Sequence, residues 1–345
     1  MKFFDTHCDT VMKVQGGSLD FLTGEGAGHL SLPGLLAAGS CAQVFACFVL
    51  SSRHPRTERE TAEKMIAAIH AMAAGSNGKM AVATTAGELS AACDGGPIAA
   101  LIGLEGADPL EGRAETLRHF YDLGVREIIP AWFDNPFSGT AFGTNTPLTP
   151  EGEKLVALAE ELGVMIDVSH LSDAAFDGVC AIATRPFIAS HSNCRTLCPS
   201  PRNLTDPMIR ALADRGGVMG INLAPGFLDP ETYAFTTPRW RRANEPGVTQ
   251  EEKDRLRAEV IARPRPAIDW IARHVRHAID VGGEDSVGLG GDLDGITRTP
   301  QGIDTIADYA KLPDLMTGAG LSARQAEKVC YANFARVFAE VLPQA

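Results

Sequence analysis

The feature that most constrains this 345-residue chain is a rhythm: eight short β-rich runs, each ending in a polar or charged tip and followed by a helical pattern. The first four are FFDTHCD from Phe3, CAQVFACFVL from Cys41, PIAALIGLEG from Pro97 and REIIPAWFD from Arg126. VMIDVSH from Val164, PFIASHS from Pro186, GVMGINLAP from Gly217 and SVGLGGDLDG from Ser286 complete the set. Several stay apolar without alternation up to the tip, as strands buried on both faces of a parallel sheet do. Such runs alternating with helices predict a (β/α)8, TIM-like barrel. A doubly wound open sheet shares the local pattern, but the first run lacks the GxGxxG turn of that fold.

The connecting segments carry helix signals. Thr149 predicts an N-cap, with Pro150 in the first turn, Leu155, Leu158 and Leu162 on one face and Gly163 as the stop. Ser322 and Gln325 form a capping-box pattern that opens the last helix, whose apolar face carries Val337, Phe338 and Val341. Residues 228–265, between runs seven and eight, break the rhythm: they are charged and Pro-punctuated, with a helix expected to open at Thr249 and Glu252. This insertion is either a solvated addition packed on the barrel rim or a lid or dimer contact over the site. No repeat, linker or composition break marks a second domain, so residues 1–345 are expected to form a single barrel domain.

Composition narrows the function classes. Apolar residues make up 45% of the chain, enough for a large core. The formal net charge of −12 repels phosphate backbones and anionic lipid, which argues against nucleic acid or membrane as partner. No apolar run reaches the ~18–20 residues of a transmembrane helix, and the start MKFFDTHCDT lacks the apolar core of a signal peptide. Eight cysteines without a CxxC pair are expected as buried thiols in a reducing compartment. The expected location is cytoplasmic.

In a barrel of this kind chemistry gathers at the C-terminal ends of the strands. Those tips carry His7 and Asp9 on the first run, Glu105 on the third, His170 on the fifth, His191 on the sixth and Asp292 on the eighth. Other histidines, among them His70, His119, His274 and His277, fall in helical patterns and are expected on solvated faces. His7 and Asp9, two positions apart, share one side of an extended strand. Glu105, in an apolar run, needs a cation or hydrogen-bond donors. Singly, His170 and His191 are as readily satisfied core imidazoles as ligands; together, the tips describe a metal centre. One ion can take His7, Asp9 and Glu105 and a second Glu105, His170 and His191, with a bridging hydroxide as the fourth ligand of each. These nitrogen and oxygen donors suit two Zn2+, and Mn2+ or Co2+ fit similar sets. Two such ions activate a water and clamp a tetrahedral intermediate, and Asp292 is suited to pass a proton to a leaving amine.

The HxD of the first run is similar to that of the amidohydrolase superfamily. Many binuclear members of that superfamily bridge their metals with a carboxylated Lys at the end of strand four. Here no Lys lies between residues 127 and 150, and Glu105 on strand three offers the bridge instead. In that choice, and in LIGLEG, LRHFYDLGVREI, IDVSH, SHSNCRTLCPSPRNLTD, GVMGIN and VGLGGDLDG, the chain resembles the membrane (renal) dipeptidase family of zinc peptidases. The resemblance runs from residue 4 to about residue 338, except across the insertion. It implies an amidohydrolase-type barrel in which His7 and Asp9 bind one zinc, His170 and His191 the other, and Glu105 bridges. It further implies that Arg202 grips the substrate's C-terminal carboxylate through its guanidinium fork. Asp292 would meet the substrate's free amine and transfer the proton, with Asp294 supporting, while Asn222 and Phe227 would line the pocket.

One position departs from the family. Its dipeptidases carry a His at the end of strand four that polarises the scissile carbonyl, and the matching residue here is Trp132. A donor of this kind contributes on the order of 10²–10³ in rate; an indole N–H still donates but carries no positive charge. The expected activity is hydrolysis of small dipeptides, with a D residue at the C-terminal position admitted, by a protein for which a homodimer is also open. The alternative on the same metal site is an N-acyl amino-acid amidohydrolase, with Trp132 as a wall for the acyl group. A remoter alternative is a metal-binding, non-catalytic homologue. The signal, lipid anchor and disulfides of the family's animal members are not carried over; Cys198 stands where a half-cystine occurs in them but has no evident partner.

Overall fold

All eight runs contribute parallel strands: Phe3–Cys8, Ser40–Phe48, Ile98–Glu105, Val125–Ile129, Met165–Ile166, Ile188–Ala189, Val218–Ile221 and Val287–Leu289. These are the first to eighth barrel strands of a computed structural model that describes residues 1–344. Each pairs with the next along the chain, the fifth and sixth through a single Asp167–Ile188 bridge, and the eighth pairs back onto the first. The ring is thus closed as an eight-stranded parallel α/β barrel. A short additional strand, Met80–Val82, takes the start of the edge on the third strand that the fourth takes over at Ile102.

One irregularity in this ring positions the site. Asp5 of the first strand pairs with Gln43 and Cys8 with Phe45, so three steps on one strand match two on its neighbour. Such a bulge re-aims side chains. Thr6 faces the interior, where its hydroxyl donates to the carbonyls of Ser190 and Leu289. Asp5 accepts from the His7 amide, from Gln43, from the Gly291 amide and from the Tyr309 hydroxyl, which pins the bulge on every side.

At the N-terminal end the barrel is packed with apolar side chains, including Phe4, Val44, Leu101, Met165, Ile188 and Val218, and sealed by Phe334 and Phe338 of the helix Asn333–Val341. The expected last helix arrives in pieces. Ser322 and Gln325 form the capping box, a wide π turn spans Lys328–Ala332, and Asn333 then anchors the final segment on the carbonyls of Glu284 and Val287. Thr149 caps Pro150–Leu162 on Gly152, and Gly163 stops it with φ of 72°. An open cleft beside this sealed end, lined by Lys2, Ser40, Lys79 and Pro97, lies away from the strand tips that carry the candidate ligands.

The insertion folds as two helices, Pro230–Ala243 and Gln250–Ala262, the second capped by Thr249 on the Glu252 amide. Arg239 pairs with Glu259 and Arg242 with Glu252 across them. Its Trp240 ring lies 5.8 Å from Phe142 of the loop after the fourth strand. The insertion therefore leans on the rim of the barrel mouth. His274 departs from expectation: it is fully buried, not solvated, with Nδ1 accepting from the Cys194 amide and Nε2 donating to the Leu228 carbonyl. Its helix, Asp269–Gly282, buries the face that carries it, and the two bonds tie the loop after the sixth strand to the start of the insertion. All eight cysteines, Cys198 included, are free.

Candidate metal centre and substrate site

The strand ladders stop short of the tips. The fifth and sixth strands end at Ile166 and Ala189, so His170 and His191 stand in the turns beyond them. His170 has φ of 70° and Asp292 φ of 57°, left-handed values that cost a non-glycine residue about 1–3 kcal/mol. Tertiary bonds hold both: the Ala141 amide donates to the His170 carbonyl, and the Asp292 amide donates to the His7 carbonyl.

These turns bring the tips together. His7 Nε2 lies 3.5 Å from Glu105 Oε2 and 3.6 Å from Asp9 Oδ2. The other Glu105 oxygen, Oε1, lies 3.0 Å from His170 Nε2 and 3.8 Å from His191 Nε2, and those two nitrogens are 2.9 Å apart. One oxygen of Glu105 thus faces His7 and the other faces His170 and His191, a disposition open to a bridging carboxylate. Ligand atoms of His7, Glu105 and His191 lie within 4.8 Å of one another, as do those of His7, Asp9 and Asp292. Asp292 therefore stands within ligand reach of the first group, closer to it than a purely proton-carrying role demands.

The donor set fits divalent cations. Both ring nitrogens of His7 and Oδ1 of Asp9 are buried without a hydrogen-bond partner, a costly arrangement unless a cation satisfies them. The electrostatics agree. Burial would raise the Glu105 carboxyl, but His7 and His170 outweigh it and hold it well below the usual carboxylate range. Burial and the nearby Arg202 depress His170 to about 4, and burial with His7 depresses His191 strongly, so both imidazoles are neutral near pH 7, the form that can ligate a cation. Burial lowers His7, yet Glu105 and Asp9 override it and raise it. A proton there does the work that a bound cation would do. Burial, then Glu105, lifts Asp9 to about 8, and burial lifts Asp292 to about 6.

Beside this cluster, Arg202 is almost wholly buried at 3% exposure. Its Nη1 donates to Ser192 Oγ at 2.9 Å and its Nε to His170 Nδ1 at 3.2 Å, while Nη2 has no partner. Burial pulls this guanidinium down to about 10, still charged at neutral pH. A buried, charged fork with a free arm beside the ligands is a site for an anion. Asn222 donates to Asp292 Oδ2 at 3.0 Å and so orients that carboxylate. The Trp132 ring centre is 5.6 Å from that of His170 and 4.8 Å from that of Phe48, forming an apolar wall next to the second ligand group.

Two expected residues sit one step further out. Phe227 stands at the rim, 6.2 Å from Phe142, with its carbonyl accepting from Asn203. Asp294 turns away from the cluster and accepts from Thr10, Lys13 and the His29 amide, clamping the loop after the first strand. Sequence reasoning overlooked Ser192, the support of Arg202, and His29, the partner of Asp294. Ser192 had a local signal, since it follows His191 directly; His29 had none, because its contact is made only by the closed ring.

Comparison with known proteins finds relatives along the length of the chain. The model of the family described as Membrane dipeptidase (Peptidase family M19) matches residues 1–344. An uncharacterized protein in the pqqA 5′ region of Klebsiella pneumoniae is 31% identical over 289 residues, covering 81% of this chain and 96% of that protein. Dipeptidase 3 of Mus musculus is 30% identical over 252 residues, which is 71% of this chain but 45% of that longer protein. Among solved structures, the metallopeptidase dipeptidase AC of family M19 superposes with a TM-score of 0.85 at 26% identity, covering 100% of this chain and 99% of its own. A metallopeptidase from Rhodobacter sphaeroides, liganded with a phosphinate mimic of L-Ala-D-Ala, gives 0.84 at 25% identity over 99% of both chains. With one family model spanning the described chain and the family's barrel reproduced along its length, the chain belongs to the membrane dipeptidase family of metallopeptidases.

Proposed function

We propose that this hydrolase cleaves the peptide bond of dipeptides, those with a D residue at the C-terminal position included, at a centre for two divalent cations. His7, Asp9 and Glu105 would hold one cation, and Glu105, His170 and His191 the other, with zinc the ion best suited to this set. Cations bound in such a set supply Lewis acidity, polarising a carbonyl and making water nucleophilic near neutral pH. The protein's own groups do the rest. Arg202 binds the substrate's C-terminal carboxylate with its free Nη2 arm. Asp292, oriented by Asn222, meets the amine and moves the proton to the departing nitrogen. Trp132 and Phe48 exclude water from one side and press the substrate against the second ligand group.

The observation that carries this reading is Arg202: a buried cation with an unpaired donor beside the ligands. A substrate that leaves it unpaired forfeits a charged hydrogen bond, which selects for a free carboxylate close to the scissile bond. The phosphinate dipeptide mimic bound by the Rhodobacter sphaeroides protein supports the dipeptide and the D residue. The eight free thiols support a reducing, cytoplasmic compartment, and no helix among the described residues is long and apolar enough to cross a membrane.

The apolar wall at Trp132 favours a second reading, hydrolysis of N-acyl amino acids, in which the wall receives the acyl group and Arg202 keeps its role. Turnover of a dipeptide panel, with both stereoisomers at the C-terminal position, is to be measured beside N-acetyl amino acids on zinc-loaded protein. The first reading expects dipeptide turnover; activity confined to the N-acetyl compounds replaces it with the second, and no turnover of either class by metal-replete protein removes both.

A further inference from the structure

Beneath the ligands lie two buried carboxyl groups that the proposed reaction does not use. Asp167 follows the fifth strand and is fully buried. Its Oδ1 accepts from the amides of Ser169 at 2.8 Å and Ser190 at 2.9 Å, and its Oδ2 accepts a short hydrogen bond from the Ser190 hydroxyl. That same hydroxyl lies 2.6 Å from Nδ1 of His191. Glu127, on the fourth strand, is 1% exposed, and its Oε1 has no partner. The barrel makes room for it with Gly103, where a Cβ would collide with Glu127 Oε2.

The direction of each hydrogen bond in this chain follows from proton counting. A hydroxyl has one proton, and the Ser190 proton goes to Asp167, so its oxygen accepts from His191 Nδ1–H. That leaves a lone pair on His191 Nε2. The opposite side of the cluster is compatible with this. Arg202 can only donate, so His170 Nδ1 accepts from it and the His170 proton sits on Nε2. That proton has two acceptors in reach, Glu105 Oε1 at 3.0 Å and His191 Nε2 at 2.9 Å, and either is consistent with a lone pair on His191 Nε2. The tautomer of His191 is thus set by the chain from Asp167.

We propose that Asp167, acting through Ser190, is a positioning residue that holds His191 in the tautomer whose Nε2 lone pair faces the metal centre. This rests on the reading that His191 holds a cation. Burial first, and then Asp167, pushes the neighbouring Glu127 carboxyl well above the usual range. Metal-bound imidazoles commonly give their second N–H to a carboxylate or carbonyl; here a serine relays that bond. His191 is thereby ready to ligate as it stands, whereas His170 must first give up its Nε2 proton.

The test begins with the wild-type protein, metal-free and 15N-labelled. Histidine 15N shifts report the tautomer directly, and the expected result is His191 with its proton on Nδ1; a proton on Nε2 overturns the proposal. Zn2+ affinity is then read by chelator competition. Ser190→Ala and Asp167→Asn are expected to weaken the second Zn2+ by about 10–100-fold while the first is retained. Ser190→Thr, which keeps the hydroxyl, is expected to stay near wild type. Asn at 167 can donate to Ser190, so its His191 proton should move to Nε2, a change that loss of packing alone would not produce. Affinity of Ser190→Ala and Asp167→Asn within about twofold of wild type overturns the relay. Wild-type protein that takes up no Zn2+ instead removes the metal-centre reading, which separates the two failures.

Discussion

Asp292 and Arg202 illustrate what single side chains contribute at this site. Asp292 is held in a left-handed turn and oriented by Asn222, so its carboxylate is aimed before any substrate arrives. Replacing it with Asn keeps the shape and removes the proton carrier. Asp292→Asn is expected to lower kcat by about 10²–10⁴-fold, the range for a lost general acid–base. Metal content measured alongside activity checks the role: because Asp292 is within ligand reach of His7 and Asp9, loss of one cation in this variant would make it a ligand first and a proton carrier second. Arg202→Met is expected to raise KM for free dipeptides far more than for their C-terminal amides, by on the order of 10²-fold, since only the carboxylate exploits the charged fork. Equal effects on the two substrates would remove the carboxylate assignment. Trp132→His should raise turnover of dipeptides by more than that of N-acetyl amino acids, because an imidazole can carry the charge that an indole cannot; kcat/KM for both classes decides it.

At the scale of elements, the sixth, seventh and eighth strands are crowded together by glycines. A Cβ at Gly220 or Gly290 would run into the Ser190 carbonyl oxygen, which is backbone and cannot move aside cheaply. The Thr6 hydroxyl also uses that oxygen, and His191 is the next residue. Gly290→Ala is therefore expected to destabilise the barrel by about 3 kcal/mol, as overpacking against a rigid partner does, and to lower zinc affinity with it; urea unfolding and chelator competition measure the two. A helix cap provides the contrast. Thr149→Ala removes the cap on the Gly152 amide and the bond its hydroxyl donates to the Pro136 carbonyl, and should cost only about 1–2 kcal/mol, with metal binding unchanged.

For the whole molecule, the ligands join the two halves of the barrel through one buried cluster. With cations absent, His7 and Asp9 remain buried with unpaired atoms, so loading should stabilise the fold. Free zinc at about 100 times its dissociation constant adds roughly 2.7 kcal/mol per site to the folded state. Tm measured against free zinc should rise continuously, and a flat profile would mean that the centre binds no more tightly in the folded chain than in the unfolded one.

Much of this was legible along the chain. Unbroken apolar runs with polar tips specify parallel strands whatever their partners, because burial on both faces is a local demand, and caps such as Thr149 and Ser322 act within four residues. The candidate site residues were likewise readable, since His7, Asp9, Glu105, His170, His191 and Asp292 all stand at the tips of runs. Only the closed ring decided the rest. The bulge at Asp5–Cys8 exists because two neighbouring strands differ by one step in register. His274 is buried because the insertion and the loop after the sixth strand close over it. The unpaired arm of Arg202 and the relay from Asp167 to His191 depend on turns distant in sequence meeting at one end of the barrel. Periodicity reports what each segment must bury, but which groups meet depends on register and closure, and those are properties of the whole sheet.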